Sequence, residues 1–474
     1  MKLHFLGANR QVTGSRYCLE TEQGKLLIDC GMFQEREFLD RNWAGSPVPV
    51  KKLDAVLLTH VHIDHSGLLP KLVQQGYRGP IYATRPSCEL ADPLLRDAAE
   101  IQEEDAAYKQ RRHQKERRKG KHPEIPLYTS EDVKRTLPLF KAVSYGRPMT
   151  IFQGVTATFY DAGHILGSAM IELHVAEQGQ TTRILFSGDI GQHDKPLICD
   201  PTYFREADYV IMESTYGDRD HEARGEIETQ LADIINTTVR RGGNVIIPTF
   251  AVERAQELMF YISRLVHRDR IPDVAVYLDS PMAVDVTDIY LRHPDAFDRE
   301  SWQLVASGEP PLHFPGLRLV RSVQESRAIN DSREPAIIMA TSGMCTSGRI
   351  KHHLRHNLER TNSTILFVGY QGRGTLGRQI LEKNPEVRIH GREYRVRAEI
   401  AQLYGFSGHA DRSGLMKWVR AFQRPPRQLF LTHGEEEAAN SLAKKIREEL
   451  GWNVIAPKYQ DVVTLQTGSA GANK

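Results

Sequence analysis

The stretch LTHVHIDHSG, residues 58–67, sets three histidines and an aspartate into six positions: His60, His62, Asp64 and His65. The chain has 19 histidines among 474 residues, so such density points to a shared task. Neutral imidazole and carboxylate are donors for divalent ions such as Zn²⁺, at about 2.0–2.2 Å and usually three or four to an ion. Two histidines one residue apart can converge on one ion, while Asp64 and His65 can face a second ion beside it. One histidine in such a run can be a helix cap or a satisfied core residue. Four donors together are not explained that way.

One loop cannot complete two sites. Further donors stand in YDAGHILGSAM (His164), ILFSGDIG (Asp189) and LFLTHGEEE (His433). Taken singly, each could be a cap or turn residue. Taken together they share one geometry, polar donors at the tips of buried strands along one edge. Asp29 in LLIDCG fits the same geometry and reads as a partner that orients a histidine.

The elements that must position these donors can be read from apolar patterning. KLHFLGA, SRYCLET, GKLLIDCG and LDAVLLTH are short apolar runs bounded by Gly and Asp, as strands are. MTIFQGVTATFYDAGH, AMIELHVA, TRILFSGDIG and ADYVIMEST form a second such block. From about residue 225 helices alternate with strands: IETQLADIINTTVRRGG, NVIIPTF, AVERAQELMFYISRLV, VAVYLDS. PAIIMATSGM and STILFVGYQG follow as strands that run into Gly-rich turns, and EYRVRAEI reads as one more strand. Alternation of this kind predicts a doubly wound α/β unit with a parallel sheet. It is flanked on both sides by a β-rich layered unit.

Bulk composition narrows the class. At 474 residues the chain exceeds one hydrophobic core, and 40% apolar with 26% charged residues is ordinary globular composition. Sixty-two basic against 60 acidic residues leave a formal charge of +2, so nucleic-acid binding must come from a local basic face. Five scattered cysteines without a C-x-x-C pair argue against a disulfide framework. The beginning MKLHFLGANR reads as a strand rather than a secretory signal, and no apolar run is long enough to span a membrane. A cytoplasmic compartment is expected. Residues 108–122, YKQRRHQKERRKGKH, carry eight Lys or Arg and one acid. They are either a solvated helix end or loop, or a phosphate-contacting arm.

THVHIDHSG, DAGHILGSA and FSGDIG resemble the metallo-β-lactamase superfamily. MESTYGDR, GFSGHADR and LTHGEEE resemble the three additional motifs of its β-CASP branch of nucleases. The similarity runs nearly end to end and is greatest to bacterial and archaeal RNA-processing members, relatives of the endonuclease subunit that cleaves eukaryotic mRNA 3′ ends. The resemblance implies an α/β fold: a metallo-β-lactamase αβ/βα four-layer sandwich with an inserted doubly wound β-CASP domain, and the active site in the cleft between them. The expected division is 1–208, 209–383 and 384–474. It implies two Zn²⁺ ions, the first on His60, His62 and His164, the second on Asp64, His65 and His433. Asp189 would bridge them together with a hydroxide. His409 would be the general acid and Glu213 the residue that orients it and keeps it protonated. A histidine at position 433 favours RNA over DNA in this family, and the cut leaves a 3′-hydroxyl and a 5′-phosphate.

The chemistry is coherent. Phosphodiester hydrolysis needs a nucleophile, neutralisation of charge at phosphorus and a proton for the leaving oxygen. Two metals supply the first two, and an imidazole whose pKa is raised by a carboxylate supplies the third. For substrate, PAIIMATSGMCTSGRI and STILFVGYQGRGTLGRQI place Gly and Ser between strand and helix, a phosphate-cradling arrangement. Ser342, Gly343, Ser347, Arg349, Arg373, Arg378 and Ser407 are the candidate RNA contacts, with Lys351 nearby; plain surface charge is the alternative for the basic ones. GRGTLG matches a dinucleotide fingerprint, but a lone match is weak.

The expected function is therefore a zinc-dependent ribonuclease acting on single-stranded RNA in RNA processing or decay, by endonucleolytic or 5′→3′ exonucleolytic cutting. Alternatives are a small ester or thioester hydrolase of the same superfamily, a non-catalytic RNA-processing scaffold and a DNA nuclease. A homodimer and an RNA-processing complex stay open as partners.

Overall fold

The computed structural model describes residues 1–116, 120–222, 226–372 and 374–467. Two compact units emerge. The first comprises Met1–His193, Asp200–Asp220 and His409–Lys474; the second comprises Asp194–Cys199 and His221–Gly408.

The first unit has two seven-stranded sheets. One runs Val462–Thr464, Lys2–Gly7, Arg16–Glu20, Lys25–Ile28, Ala55–Leu57, Ile81–Thr84, Phe140–Val143 in spatial order. The other runs Val454–Ile455, Gln428–Thr432, Tyr209–Glu213, Gln180–Phe186, Ala169–Glu177, Val155–Asp161, Met149–Phe152. Side chains alternate between faces along a strand, and here alternate residues feed different cores. Ile171, Ile184, Phe186, Tyr209 and Ile211 meet Leu3, Phe5, Tyr17, Ile28 and Leu57 between the sheets. Their neighbours Met170, Leu185, Val210 and Met212 pack outward against Leu415, Trp418, Leu442 and Ile446. Those last residues lie on the helices Arg412–Arg420 and Glu436–Leu450. Burial on both faces explains why these strands read as unbroken apolar runs. The long helix Arg85–Glu116 packs on Ile81–Thr84 and Phe140–Val143 of the first sheet. Helix, sheet, sheet, helix is the expected four-layer sandwich.

The second unit is built on a six-stranded sheet, ordered Leu317–Val320, Ala275–Asp279, Ala336–Ala340, Val245–Pro248, Thr364–Val368, Glu399–Leu403. Every pairing in it is parallel. Helices follow strands as the alternation predicts, among them Ile227–Arg240, Arg254–His267, Pro281–Arg292 and Ile350–Asn357.

Two expectations differ from what is found. EYRVRAEI is not one strand: Arg392–Arg395 pairs with Glu386–Ile389 in a hairpin, and Glu399–Leu403 begins anew beside Thr364–Val368. The units divide at Asp220 and Gly408 rather than near 208 and 383. Tyr209–Glu213 stays with the first unit because it pairs with Gln428–Thr432, and Glu399–Leu403 stays with the second because it extends the parallel sheet.

Among the described residues, no helix is long and apolar enough to cross a membrane.

Candidate metal centre and its histidine–carboxylate pair

All nine residues expected to do the chemistry lie in the first unit, most of them in the loops and the short helix that follow its strands. The strand Ala55–Leu57 stops just before Thr59, and the short helix Ile63–Ser66 turns the chain so that His60, His62, Asp64 and His65 crowd one end of the sheet. Asp29, just past the neighbouring strand Lys25–Ile28, sits at φ 58°. Its carboxylate accepts the Thr59 amide and the Thr59 hydroxyl, both at 2.8 Å, and lies 2.8 Å from His65 Nδ1. With its proton given to Asp29, the Thr59 hydroxyl is left to accept from His60 Nδ1 at 3.1 Å. Asp29 therefore fixes two rings with Nδ1 outward and Nε2 inward, the orienting role expected of it.

The other donors come from close approaches. Ser168 Oγ accepts the amides of His164 and Ile165 at 3.1 and 3.2 Å, shaping the loop that carries His164. Gly191 packs so tightly there that a Cβ would fall 1.6 Å from the Gly163 carbonyl oxygen. Asp189 lies between Gly191 and Gly188, the latter at φ 54°. His433 follows the strand Gln428–Thr432 at φ 47° and donates its amide to the Ala8 carbonyl at 2.7 Å. Thr215 Oγ1 donates to the His433 carbonyl at 2.9 Å and lies 3.1 Å from His433 Nδ1, again leaving Nε2 inward.

Two groups of atoms result. His62 Nδ1 is 3.2 Å from both His60 Nε2 and His164 Nε2, while Asp189 Oδ2 is 3.3 Å from His60 Nε2 and 3.5 Å from His164 Nε2. In the second group, Asp189 Oδ1 is 3.2 Å from His65 Nε2 and 3.6 Å from His433 Nε2, which is 3.5 Å from Asp64 Oδ2. A tetrahedron with bonds of about 2.0–2.1 Å has edges of about 3.3–3.4 Å. The first group approaches such a cage; in the second, Asp64, His65 and His433 stand close enough to share an ion, and Asp189 turns one oxygen toward each group. Asp189 Oδ1 and His433 Nε2 are buried yet make no hydrogen bond, the condition of atoms that await a cation. The residues present fit a metal.

Electrostatics agree. Burial, then the neighbouring His65, pushes the His60 imidazole down to about 3, and burial brings His62 to about 4, so both are neutral donors. Burial works against a proton on His65, but Asp189 and Asp29 outweigh it and hold that pKa well above the ordinary range. Asp189 itself stays ionised despite burial, held by His433, His65 and His60. The acids create a field for positive charge, which a proton or a metal can answer.

Beside these groups, His409 bonds to Glu213 through Nδ1, at 3.1 and 3.2 Å from the two carboxylate oxygens. Glu213 ends the strand Tyr209–Glu213, buried, and also accepts the Ile190 amide at 2.6 Å. Ala410 N–H bonds to the Ile190 carbonyl at 2.7 Å, which pins His409 to the Asp189 segment. His409 Nε2 stands 3.9 Å from Asp189 Oδ2, and its ring 4.6 Å from that of His164. Burial opposes its protonation, yet Glu213 and Asp189 raise its pKa to about 9.

The candidate RNA contacts lie in the second unit, except Arg373, which is outside the described residues. Ser342, Gly343 and Ser347 share one loop, where Ser342 Oγ accepts the amides of Thr346 and Ser347 at 3.1 and 3.3 Å. Arg349 is drawn onto Asp279 at 2.6 Å and the Arg321 carbonyl at 2.7 Å. Arg378 pairs with Glu382 at 2.7 Å, and the Ser407 carbonyl accepts from Lys195 at 3.1 Å. In the basic stretch, the part before residue 117 is the end of the helix Arg85–Glu116; Lys121 and His122 pair with Asp40, and residues 117–119 lie outside the described residues.

Sequence reasoning missed the orienting hydroxyls of Thr59, Thr215 and Ser168. A signal for Thr59 was present, since LTH occurs twice, at residues 58–60 and 431–433, each time delivering a donor.

The chain matches the metallo-beta-lactamase superfamily domain over residues 18–195, the Beta-Casp domain over 255–380 and the Zn-dependent metallo-hydrolase RNA specificity domain over 393–457. It is 39% identical to Ribonuclease TTHA0252 of Thermus thermophilus, over 94% of this chain and 95% of that protein. The chain belongs to the β-CASP family of the metallo-β-lactamase superfamily. Another β-CASP relative, Transcription termination factor FttA of Methanocaldococcus jannaschii, is 33% identical over 98% of this chain and 72% of its own length. A crystal structure of an Enterococcus faecalis protein of unknown function superposes with a TM-score of 0.55 at 12% identity, covering 98% and 99% of the two chains; this likeness concerns the fold alone. As a β-CASP protein, the chain is a metal-dependent hydrolase of the nuclease class.

Proposed function

We propose that this β-CASP protein is a ribonuclease that hydrolyses phosphodiester bonds of single-stranded RNA, with two Zn²⁺ ions at the paired donor groups. His60, His62 and His164 would hold one ion, Asp64, His65 and His433 the other, and Asp189 would reach both. When bound, such ions supply a nucleophilic hydroxide at neutral pH and counter-charge for the phosphate.

The rest falls to the protein's own side chains. Asp29 and Thr59 hold the rings of His60 and His65 in the ligating tautomer, and Thr215 does so for His433. His409 holds a proton on Nε2, the nitrogen turned toward Asp189, and delivers it to the departing oxygen. Glu213 orients the ring through Nδ1 and stabilises the imidazolium. RNA as substrate is supported by the RNA specificity domain at residues 393–457 and by the ribonuclease relative.

The observation that carries this reading is His409 bonded to buried Glu213, with Nε2 3.9 Å from the carboxylate common to both donor groups. His409→Ala is expected to keep its metal, by elemental analysis, and to lose about 10²–10⁴-fold of its RNA cleavage. Full cleavage by that variant would remove the general-acid role.

A further inference from the structure

In the second unit the helices Val323–Asp331 and Ile350–Asn357 line a groove of about 500 Å³. Arg327 faces it from the first helix, His352, Arg355 and His356 from the second, and Arg349 from the position that caps the second. Asp331 is the only acid among the lining residues. The segment RIKHHLRHNLER, residues 349–360, puts seven basic or imidazole side chains against one acid, Glu359.

The cations differ in how they are engaged. Arg349 is anchored on Asp279 and the Arg321 carbonyl, which holds that edge of the groove in place. Arg355 gives its Nε to the Tyr394 hydroxyl at 3.0 Å, and among the described residues its two terminal nitrogens make no hydrogen bond. Arg327 is exposed and has no ion-pair partner among the described residues. The His352 ring lies 4.9 Å from that of His390, on the adjoining hairpin. Nothing on the lining besides Asp331 offsets this charge.

We infer that this groove binds a polyphosphate anion, either the phosphate chain of a nucleotide or consecutive phosphates of an RNA strand. Arg327 and Arg355 donate directly, and His352 and His356 join when protonated. A single carboxylate offers two oxygens, whereas a phosphate chain spreads many along its length. Phosphate oxygens accept several at once, and the guanidinium fork fits them two at a time. A volume of this order suits a nucleotide-sized ligand. The inference stands apart from the metal centre and does not depend on it.

The imidazoles register their partial burial first and the positive field around them second. Burial first, and then His390, Arg355, His353 and His356, lowers the pKa of His352. Burial, Arg355, Arg360 and His353 do the same to His356 against the opposing pull of Asp331, and burial, Lys351 and Arg355 to His390. These rings are therefore neutral near pH 7. A bound anion reverses the field and raises their pKa, so binding takes up protons and tightens as pH falls from neutral.

The test measures binding of ATP by calorimetry and of a labelled single-stranded RNA by anisotropy, the latter in the His409→Ala background so that the strand persists. The full-length parent is compared with the double variant Arg327→Gln, His356→Gln, both positions being exposed. Expected for the double variant are at least a tenfold weaker ATP complex, a salt dependence shallower by about one to two in log–log slope, and a smaller gain in affinity between pH 7.5 and 6.0. If RNA binding weakens in parallel, the ligand is a strand; if ATP alone is affected, it is a free nucleotide. Unchanged affinity for both probes in the double variant, or a parent that binds neither, overturns the inference.

Discussion

Two buried clusters of histidine and aspartate, one in each unit, look alike in composition and differ in how their polar atoms are satisfied. In the second unit the Asp279 carboxylate is fully buried and takes His353 Nε2, Ser326 Oγ and an Arg349 nitrogen, each at 2.6 Å. His353 turns its other nitrogen to Asn330 Oδ1 at 3.0 Å. One carboxylate meets three donors, and the cluster is closed by protein atoms alone. In the first unit the inward nitrogens of His60, His62 and His164 face one another at 3.2 Å, and Asp189 Oδ1 and His433 Nε2 have no hydrogen bond. A satisfied buried cluster holds a fold together, and an unsatisfied one of the right dimensions holds an ion.

The comparison can be broken at several points. The largest effect is expected at Asp189→Ala, which removes an oxygen from both donor groups: metal and cleavage should be lost together, and parent-like metal content by elemental analysis would contradict the arrangement. Next is Asp279→Ala, which strands His353 and Arg349 in the interior. Urea unfolding should register a loss of about 3–5 kcal/mol, with metal per folded chain unchanged; a drop in metal content would mean the two clusters are not functionally distinct. Asp29→Asn should fold and weaken metal binding by about 10–100-fold, read by competition with a chelating dye, and equal affinity would return Asp29 to a purely structural role. The smallest effect is a change of pH profile. As the proposed general acid, His409 acts only when protonated, and its pKa, raised to about 9 by Glu213 and Asp189 over the opposing effect of burial, keeps it so at neutral pH. Cleavage should fall as pH rises through the His409 pKa, and Glu213→Gln should bring that alkaline limb down by roughly one pH unit. An unmoved limb would separate Glu213 from the proton donor.

How much of this could be read from residues alone follows from the distance over which each feature is encoded. His60, His62, Asp64 and His65 are marked within six positions, and His164, Asp189 and His433 each by an apolar strand ending in a small-residue turn. The two sheets of the first unit were legible because short apolar runs and the Gly and Asp that bound them are local signals. The role of Arg349 was not, because Asp279 lies 70 residues earlier and only the fold brings them together. The edge of the second unit was hidden for the same reason: Tyr209–Glu213 belongs with Gln428–Thr432, a pairing no local pattern announces. The hydroxyls of Thr59 and Thr215 escaped because their service to a histidine depends on where its other nitrogen points.

The most direct measurement sets two end-labelled single strands of one sequence, RNA and DNA, against the parent, the chelator-treated protein and His409→Ala. The account predicts cutting of RNA alone, abolished by chelation and reduced about 10²–10⁴-fold by the substitution. RNA left intact by a protein that demonstrably holds its metal would contradict it.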